Sequence, residues 1–392
     1  MLNIMFFFKM HQPYRIKKLS IFDIGNIDSI FDFDLGKSII NDICNLSYKP
    51  ALQLFLKLID KLEGKFKISI SFSGVLFEQL KTYNPETLEL INKLIQTKCV
   101  EIVCQPYYNS LSFYYDENEF IYEVNKHLNL IYNSFNYIPK TFMNTELIYS
   151  NKLADMLRGF VSIKNILTEP VERITGFKAP IYIYKAYGKN PQMILLRHQK
   201  LSDDISLNFN NKSWKEYPLN AIKYAKWIND ITFYDKKNKD IYCNLLYDLA
   251  TFGYYNQENT GIFEFLYDLP SVILKKGKDN CKFILPSEIT IENEIKYQIY
   301  STRDYISIAG NEKNLNPFIG NDLQKNFQTT LSELLKEAKE QNLESILNII
   351  RNLSSVDFYY YLTENNNSFY PSIESAYQNL LYSLAHIEEI MS

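Results

Sequence analysis

Short runs of apolar residues recur along the first part of the chain, and stretches long enough for a helix separate one run from the next. The runs are rich in Ile, Val and Phe, which is typical of strands buried in a parallel sheet. This alternation predicts an α/β fold built from repeated strand–helix units. The predicted strands are Asn3–Phe8, Phe66–Phe72, Val100–Cys104, Thr141–Met143, Phe160–Ile166, Ile194–Arg197 and Tyr242–Tyr247.

From about Leu315 onward the pattern changes to helical spacing. Apolar residues there recur every three to four positions, which predicts amphipathic helices. We therefore predict two domains, a barrel-sized unit over residues 1–300 and a helical domain over residues 301–392 that packs on it. An Asn-rich stretch, residues 364–368, predicts a loop before the last helix. The apolar stripes are Leu323, Phe327, Leu331, Leu334, Leu335 and Ala338, then Ile346, Ile349 and Ile350, then Ile373, Tyr377, Leu380, Leu384 and Ile387.

Composition and charge restrict the classes of partner. Hydrophobic residues make up 46% of the chain and charged residues 22%, so a sizeable core is expected. A net charge of -3 gives no reason to expect nucleic acid or an anionic membrane as a partner. No apolar stretch approaches the roughly 20 residues that span a bilayer, and the first apolar run lacks the features of a signal peptide.

The number and spacing of the cysteine and histidine residues argue against disulfide bonds and metal sites. The 5 cysteines are an odd number and form no Cys-x-x-Cys pair, so neither a disulfide framework nor a zinc site is predicted. The 4 histidines contain no pair at the spacing of metal ligands. We predict a cytoplasmic protein without a metal or another cofactor.

Polar side chains follow several predicted strands, at the point where each strand ends. Because the carboxyl ends of parallel strands meet at one end of a barrel, these side chains are expected to converge. Glu146 and Asp204 then share one cleft although they are 58 residues apart. A turn or a helix cap is the alternative explanation for any one such position. The residues are His11, Gln12, Gln105, Glu146, Asp203, Asp204 and Asp248.

Two carboxyl groups in one cleft suit the cleavage of a glycosidic bond. In a retaining mechanism one ionised carboxylate attacks the anomeric carbon, and the other carboxyl donates a proton to the leaving oxygen. Their surroundings must therefore differ. Asp203 adjoins Asp204, and a neighbouring like charge helps to keep one carboxyl protonated, which gives Asp203 a supporting role.

Segments in a fixed order resemble the motifs of glycoside hydrolase family 57, and within it the archaeal α-amylase-like branch. The resemblance extends to Ile319–Asn321 and Phe358–Tyr360 and so covers nearly the whole chain. Single short pieces such as His-Gln-Pro are weak, whereas the ordered set is specific. The segments are His11–Arg15, Glu101 with Gln105–Leu111, Asn144–Tyr149, Leu201–Ile205, and Asp248–Gly253 with Thr260–Leu266.

The resemblance implies an incomplete (β/α)7 TIM-like barrel followed by helices, with retaining cleavage or transfer of α-glucan or malto-oligosaccharide chains and no metal. It makes Glu146 the nucleophile that forms a glycosyl-enzyme and Asp204 the general acid/base. His11 would hydrogen-bond the sugar at the bond that breaks. The full set of predicted substrate-binding residues is His11, Gln12, Glu101, Gln105, Tyr108, Asn109, Asp203, Asp248 and Tyr255.

Three positions depart from the branch pattern. Asn109 and Tyr255 stand where the branch has His, and Ala250 stands where it has Glu. Asn can still bond a hydroxyl but carries no charge, and lost polar groups weaken substrate positioning.

Two hypotheses therefore remain open. The first is an enzyme, either an α-amylase or a 4-α-glucanotransferase, which differ in whether water or a glucan accepts the sugar. The second is a catalytically weakened or inactive α-glucan-binding relative. Deacetylase chemistry on a similar barrel needs a metal-binding Asp and His set that cannot be assembled here. The sequence predicts no oligomeric state.

Overall fold

The computed structural model describes residues 1–176, 180–233, 240–289, 298–363 and 369–392. Each of the seven predicted strands is present there, so the predicted α/β class with parallel strands is confirmed. The predicted loop at residues 364–368 lies outside the described residues. The strands are β1 Leu2–Met10, β2 Ile68–Phe72, β3 Val100–Ile102, β4 Thr141–Met143, β5 Asn165–Thr168, β6 Ile183–Ala186, β7 Met193–Leu196, β8 Ile241–Asp248, β9 Cys281–Phe283 and β10 Gln298–Tyr300.

The fifth predicted strand begins later than expected. Residues 158–164 form turns and irregular structure, and β5 starts only at Asn165. Phe160 and Ile163 lie in this segment and are buried, so their apolar character reflects packing and not strand structure. The short strands β6, β9 and β10 were not predicted.

The strands form two five-stranded sheets. The first sheet has the order β3-β2-β1-β8, with β9 also paired to β1, and all its pairs are parallel. The second has the order β10-β6-β7-β5-β4, in which only the β6–β7 pair is antiparallel. Single parallel bridges, Cys104 to Phe142 and Arg197 to Asn244, join the sheets. Pairings thus lead from β1 through β2, β3, β4, β5, β7 and β8 back to β1.

Side chains alternate along each strand between the helices outside and an interior layer. In β1, Ile4, Phe6 and Phe8 pack against helices, whereas Met5 and Phe7 belong to the interior layer. On four of these strands the next inward position towards the carboxyl end carries a charged residue instead. The apolar layer contains Met5, Phe7, Val103, Met143, Leu167, Leu195 and Leu246; the charged positions beyond it are Lys9, Glu169, Arg197 and Asp248.

Helices cover both sheets. The predicted apolar stripes of the C-terminal region lie on three helices, α13 (Asp322–Glu340), α14 (Glu344–Leu353) and α16 (Ile373–Met391), and they share one hydrophobic core with strands β4, β5 and β7. No described helix is long and apolar enough to cross a membrane. The helices are α1 Phe33–Ile43, α2 Lys49–Lys61, α3 Gly74–Tyr83, α4 Pro85–Gln96, α5 Ser112–Tyr115, α6 Glu117–Phe135, α7 Asn151–Leu157, α8 Glu172–Thr175, α9 Gln199–Ser206, α10 Ala221–Asp230, α11 Ile262–Gly277, α12 Asn316–Ile319, α13 Asp322–Glu340, α14 Glu344–Leu353, α15 Val356–Tyr360 and α16 Ile373–Met391.

A π-helical segment, Cys44–Tyr48, joins α1 to α2 and supports the loop after β8. Ser47 Oγ donates a hydrogen bond of 2.8 Å to the carbonyl oxygen of Leu249. Gly253 has a φ of +103°, and a Cβ atom at this position would lie 1.9 Å from the carbonyl oxygen of Leu46. The loop can therefore approach the π-helical segment closely only because residue 253 has no side chain.

We expect the Gly253→Ala substitution to lower the free energy of unfolding by more than about 3 kcal/mol, because it combines an unfavourable φ with a backbone clash. Gly261→Ala is the matched control, since Gly261 also has a positive φ but its Cβ would meet no atom closer than 3.9 Å. It should cost only about 1 kcal/mol. Chemical denaturation of both variants measures the difference, and equal losses would contradict the proposed close approach.

Candidate active site

Glu146 lies in a tight turn directly after β4. Both Glu146 and Leu147 have left-handed backbone angles, with φ of 49° and 52°, a conformation that non-glycine residues seldom adopt. The backbone N–H of Ile308 donates a 2.9 Å hydrogen bond to the carbonyl oxygen of Glu146. The turn is therefore held from a loop far along the chain.

Both carboxylate oxygens of Glu146 have a partner. Lys9 Nζ lies 3.1 Å from Oε1, and the Tyr360 hydroxyl donates to Oε2 at 3.1 Å. Burial alone would lower the pKa of the Lys9 ammonium, but the carboxylates of Glu146 and Asp248 outweigh burial and raise it. Lys9 thus stays charged beside Glu146.

Asp248 ends β8 beside this pair. Burial raises the pKa of the Asp248 carboxyl to about 6, although the Ala250 N–H, Lys9 and His11 act in the opposite direction. The Ala250 N–H donates to Oδ1 at 2.8 Å. Asp248 can therefore exchange a proton near neutral pH.

Two cavities meet at Lys9, Glu146 and Asp248. One has a volume of about 440 Å³ and is also lined by Arg197, Asp203, Leu207, Ile308 and Lys313. The other has a volume of about 500 Å³ and is also lined by His11, Gln12, Arg15, Asn109, Tyr255, Asp357 and Tyr360. Glu146 thus lines both cavities.

The adjacent residues Asp203 and Asp204 on α9 face in different directions. Asp203 lines the 440 Å³ cavity together with Ser206 and Leu207, which lie three and four residues later on the same helical face. Asp204 is not among the lining residues. Its side chain is 7% exposed and forms a 2.7 Å ion pair with Lys200. The structure therefore places Asp203, and not Asp204, in the cavity with Glu146.

Arg197 holds the Asp203 carboxylate, with 2.7 Å between Nη1 and Oδ1. The same guanidinium forms two bonds with Glu169, at 2.6 Å from Nε and 3.0 Å from Nη2. Lys313 also pairs with Glu169, at 3.2 Å. Burial would lower the pKa of Arg197, but Glu169 and Asp203 outweigh burial and raise it. Four charged side chains thus form one connected network.

His11 is fixed on the opposite side by a residue of the C-terminal helices. Its Nε2 lies 3.0 Å from Asp357 Oδ2, and its Nδ1 lies 2.6 Å from Ser73 Oγ. Burial would raise the pKa of Asp357, but His11, a hydrogen bond from Ser355 and Arg15 hold it well below its usual range. Asp357 therefore stays ionised, and His11 donates from Nε2.

The family model described as "Glycosyl hydrolase family 57" matches residues 5–308. The chain belongs to this family. It is 33% identical over 380 residues to a Methanocaldococcus jannaschii protein named "Putative alpha-amylase", and the match covers 95% of this chain and 77% of that protein. Membership of family 57 makes the protein an enzyme of the glycoside hydrolase and transferase class.

Solved family 57 structures share the fold. The 4-α-glucanotransferase of Thermococcus litoralis is 14% identical, with a TM-score of 0.68, and the match covers 97% of this chain but 57% of that chain. This chain thus spans little more than half the length of that transferase. The GH57-type branching enzyme of Pyrococcus horikoshii is 13% identical, with a TM-score of 0.69, and the match covers 97% and 88% of the two chains.

Most of the predicted site residues of this family 57 enzyme converge. The structure brings together His11, Gln12, Asn109, Glu146, Asp203, Asp248 and Tyr255.

Four predicted residues lie elsewhere, and Asp204 is one of them. Glu101 lies towards the amino end of the strands, where it accepts hydrogen bonds from Thr141 and the Ser287 N–H and where burial raises its pKa. Gln105 is buried against Ser71, and Tyr108 packs beside Tyr107. These side chains support the fold around the site without lining either cavity.

Several site residues were not predicted from the sequence. Lys9 and Arg197 lie at inward positions just beyond the apolar layer, so the two-residue alternation of their strands could have identified them. Asp357 and Tyr360 reach the site from α15, and only the short Phe358–Tyr360 resemblance pointed there. The network partners Glu169 and Lys313 carried no motif at all.

The raised pKa of Asp248 gives a stability prediction. The folded carboxyl has a pKa of about 6, against 3.8 as its ordinary value, so the folded state retains a proton that the unfolded state releases between these pH values. This contribution is fully present below pH 4 and is lost as the pH rises through 6. Relative to Asp248→Asn, which cannot titrate, the wild type should lose up to about 3 kcal/mol of unfolding free energy between pH 4 and 7. Urea titrations at both pH values measure the difference, and a constant difference would contradict the prediction.

Proposed function

We propose that this family 57 member is a retaining enzyme that cleaves or transfers α-1,4-linked glucan chains, with Glu146 as the nucleophile and Asp203 as the general acid/base. The observation that carries the proposal is the placement of these two carboxyl groups in one cavity, at the carboxyl ends of strands. The sequence resemblance gave the acid/base role to Asp204 and a supporting role to Asp203. The acid/base role now goes to Asp203 because its carboxyl reaches the cavity.

We also propose that the seven strands in the closed path from β1 to β8 form the incomplete (β/α)7 barrel of this family, and that residues 301–392 form a helical domain packed on it. The bridges of Cys104 to Phe142 and Arg197 to Asn244 support the barrel. The five free and buried cysteines support a location in the reducing cytoplasm.

The proposed reaction has two steps. Glu146 attacks the anomeric carbon of the bound glucan, and Asp203 protonates the glycosidic oxygen as the bond to the leaving chain breaks. Asp203 then takes a proton from water or from the hydroxyl of a second glucan, which displaces Glu146 from the sugar. Water gives hydrolysis and a glucan gives transfer. Either acceptor restores both carboxyl groups.

The two carboxyl groups differ in their hydrogen-bond donors and in their exposure. Glu146 has the Lys9 ammonium and the Tyr360 hydroxyl as donors, which stabilise a carboxylate before attack. Asp203 is 31% exposed and lies where an acceptor or leaving group can enter. The cavity beside His11, Asn109 and Asp357 offers hydrogen-bonding groups for the hydroxyls of the donor sugar.

The three departures from the family pattern leave this arrangement in place. Asn109 Nδ2 lies 3.5 Å from Asp357 Oδ2, so it joins the cluster that holds His11. Tyr255 is 61% exposed and offers an aromatic face at the cavity mouth. Ala250 is buried among apolar residues. The catalytic carboxyl pair therefore retains its surroundings, which favours the enzyme over the inactive binding relative.

The decisive experiment compares two adjacent isosteric variants. Asp203→Asn should lower kcat on maltoheptaose by about 100-fold or more, because general acid catalysis is lost. Asp204→Asn removes an ion pair with Lys200 outside the cavity and should retain activity within about threefold. Glu146→Gln should abolish turnover. Loss of activity in Asp204→Asn but not in Asp203→Asn would return the acid/base role to Asp204.

Separation of the reaction products by chain length shows whether water or a glucan is the acceptor. Shorter chains alone indicate hydrolysis, whereas shorter and longer chains together indicate transfer. No change of maltoheptaose by the wild-type protein would contradict the proposed activity on this substrate and favour the glucan-binding alternative.

The hydroxyl of Tyr360 supplies a second prediction. Tyr360→Phe removes a hydrogen bond to Glu146 Oε2, and we expect kcat to fall by about tenfold because the carboxylate is less well oriented. Tyr359→Phe is the matched control, since the Tyr359 hydroxyl bonds Gln328 outside the cavities. It should affect thermal stability but not kcat. Equal kcat values for the two variants would sink the assigned role of Tyr360.

A further inference from the structure

The carboxyl end of β5 is followed by a fully buried carboxylate, Glu169, that the proposed chemistry does not use. Its side chain is 0% exposed, and that of its partner Arg197 is 3% exposed. Oε2 accepts from Arg197 Nε at 2.6 Å, and Oε1 accepts from Arg197 Nη2 at 3.0 Å. Lys313 Nζ lies 3.2 Å from the same Oε1. Both oxygens of Glu169 are therefore engaged by donors.

The pairing of Arg197 with Glu169 fixes the direction of the hydrogen bond that Arg197 donates to Asp203. The guanidinium is planar, and its Nε and Nη2 are both held by Glu169 in a fork. The remaining nitrogen, Nη1, points to Asp203 Oδ1 at 2.7 Å. Asp203 is 31% exposed and would otherwise be free to change rotamer in the cavity.

We propose that Glu169 is a positioning residue, which acts through Arg197 to hold the Asp203 carboxyl at the glycosidic oxygen. The inference rests on the proposed role of Asp203 as acid/base. A buried ion pair adds little net stability compared with apolar residues of the same volume. Orientation of Asp203 gives the buried charges a catalytic purpose, since small displacements of a catalytic group cost large factors in rate.

The substitution Glu169→Gln tests the inference with little change in volume. An amide nitrogen replaces one carboxylate oxygen, and either orientation sets it against a donor of Arg197, so the fork is broken. We expect Arg197 to turn and Asp203 to lose its fixed position. Protonation of the leaving oxygen should suffer, whereas attack by Glu146 should not.

Two substrates separate these steps. Maltoheptaose needs protonation of its leaving oxygen, whereas α-maltosyl fluoride loses fluoride without a proton while Glu146 bonds the anomeric carbon. In single turnovers, Glu169→Gln should slow maltoheptaose cleavage by about tenfold or more but fluoride release by less than about threefold. Equal slowing of both substrates indicates a structural role and would overturn the inference.

Matched variants complete the test. Glu340→Gln removes a carboxylate from an exposed ion pair with Lys336 and should leave both rates unchanged. Glu169→Asp keeps the charge and should recover part of the maltoheptaose rate. Should Glu169→Gln fail to fold, Arg197→Lys serves instead, because Lys keeps the charge but lacks the fork. It should show the same selective loss, and equal slowing of both substrates again counts against the inference.

Failure of the proposed function can be distinguished from failure of the inference about Glu169. If wild type acts on neither substrate, the proposed reaction is wrong, and the inference is then decided by a crystal structure of Glu169→Gln. The 2.7 Å contact of Arg197 Nη1 with Asp203 Oδ1 should be lost. An unchanged contact would refute the positioning role.

Discussion

The site depends on one constraint, which is the alternation of side chains along buried parallel strands. Each strand turns one set of side chains to the helices and the other to the interior, and an apolar interior layer leaves the next inward position free to carry a polar group. Lys9, Arg197 and Asp248 all occupy such positions. Three strands that are distant in sequence therefore deliver charged groups to one place.

These charged groups can lie close together because almost every one of them has a partner of opposite charge. Glu146 lies against Lys9, Asp357 against His11, and Glu169 against Arg197. Such pairing offsets the cost of desolvation, and it leaves the groups oriented before any substrate binds. Asp248 differs, because burial dominates its surroundings and its pKa rises to about 6. The site thus combines paired charges with a buried carboxyl whose pKa is raised.

The C-terminal helices belong to this site as well as to the core. Asp357 and Tyr360 lie on α15 and contact His11 and Glu146 directly. The same region shares a hydrophobic core with β4, β5 and β7. Loss of that packing would therefore disturb the contacts of His11 and Glu146 as well as the stability of the fold.

The sequence by itself determined the strands of the closed path and the helical stripes, and it pointed to Glu146 as the proposed nucleophile, because periodicity and ordered motifs are local properties of the chain. The resemblance assigned the acid/base role to Asp204. The tertiary structure moved our proposal to Asp203, since successive residues of a helix point about 100° apart and the packing of α9 turns Asp203 to the cavity and Asp204 to Lys200. Glu169 and Lys313 could not be predicted from the sequence either, because an ion-pair network is defined by distances between remote segments and leaves no pattern along the chain.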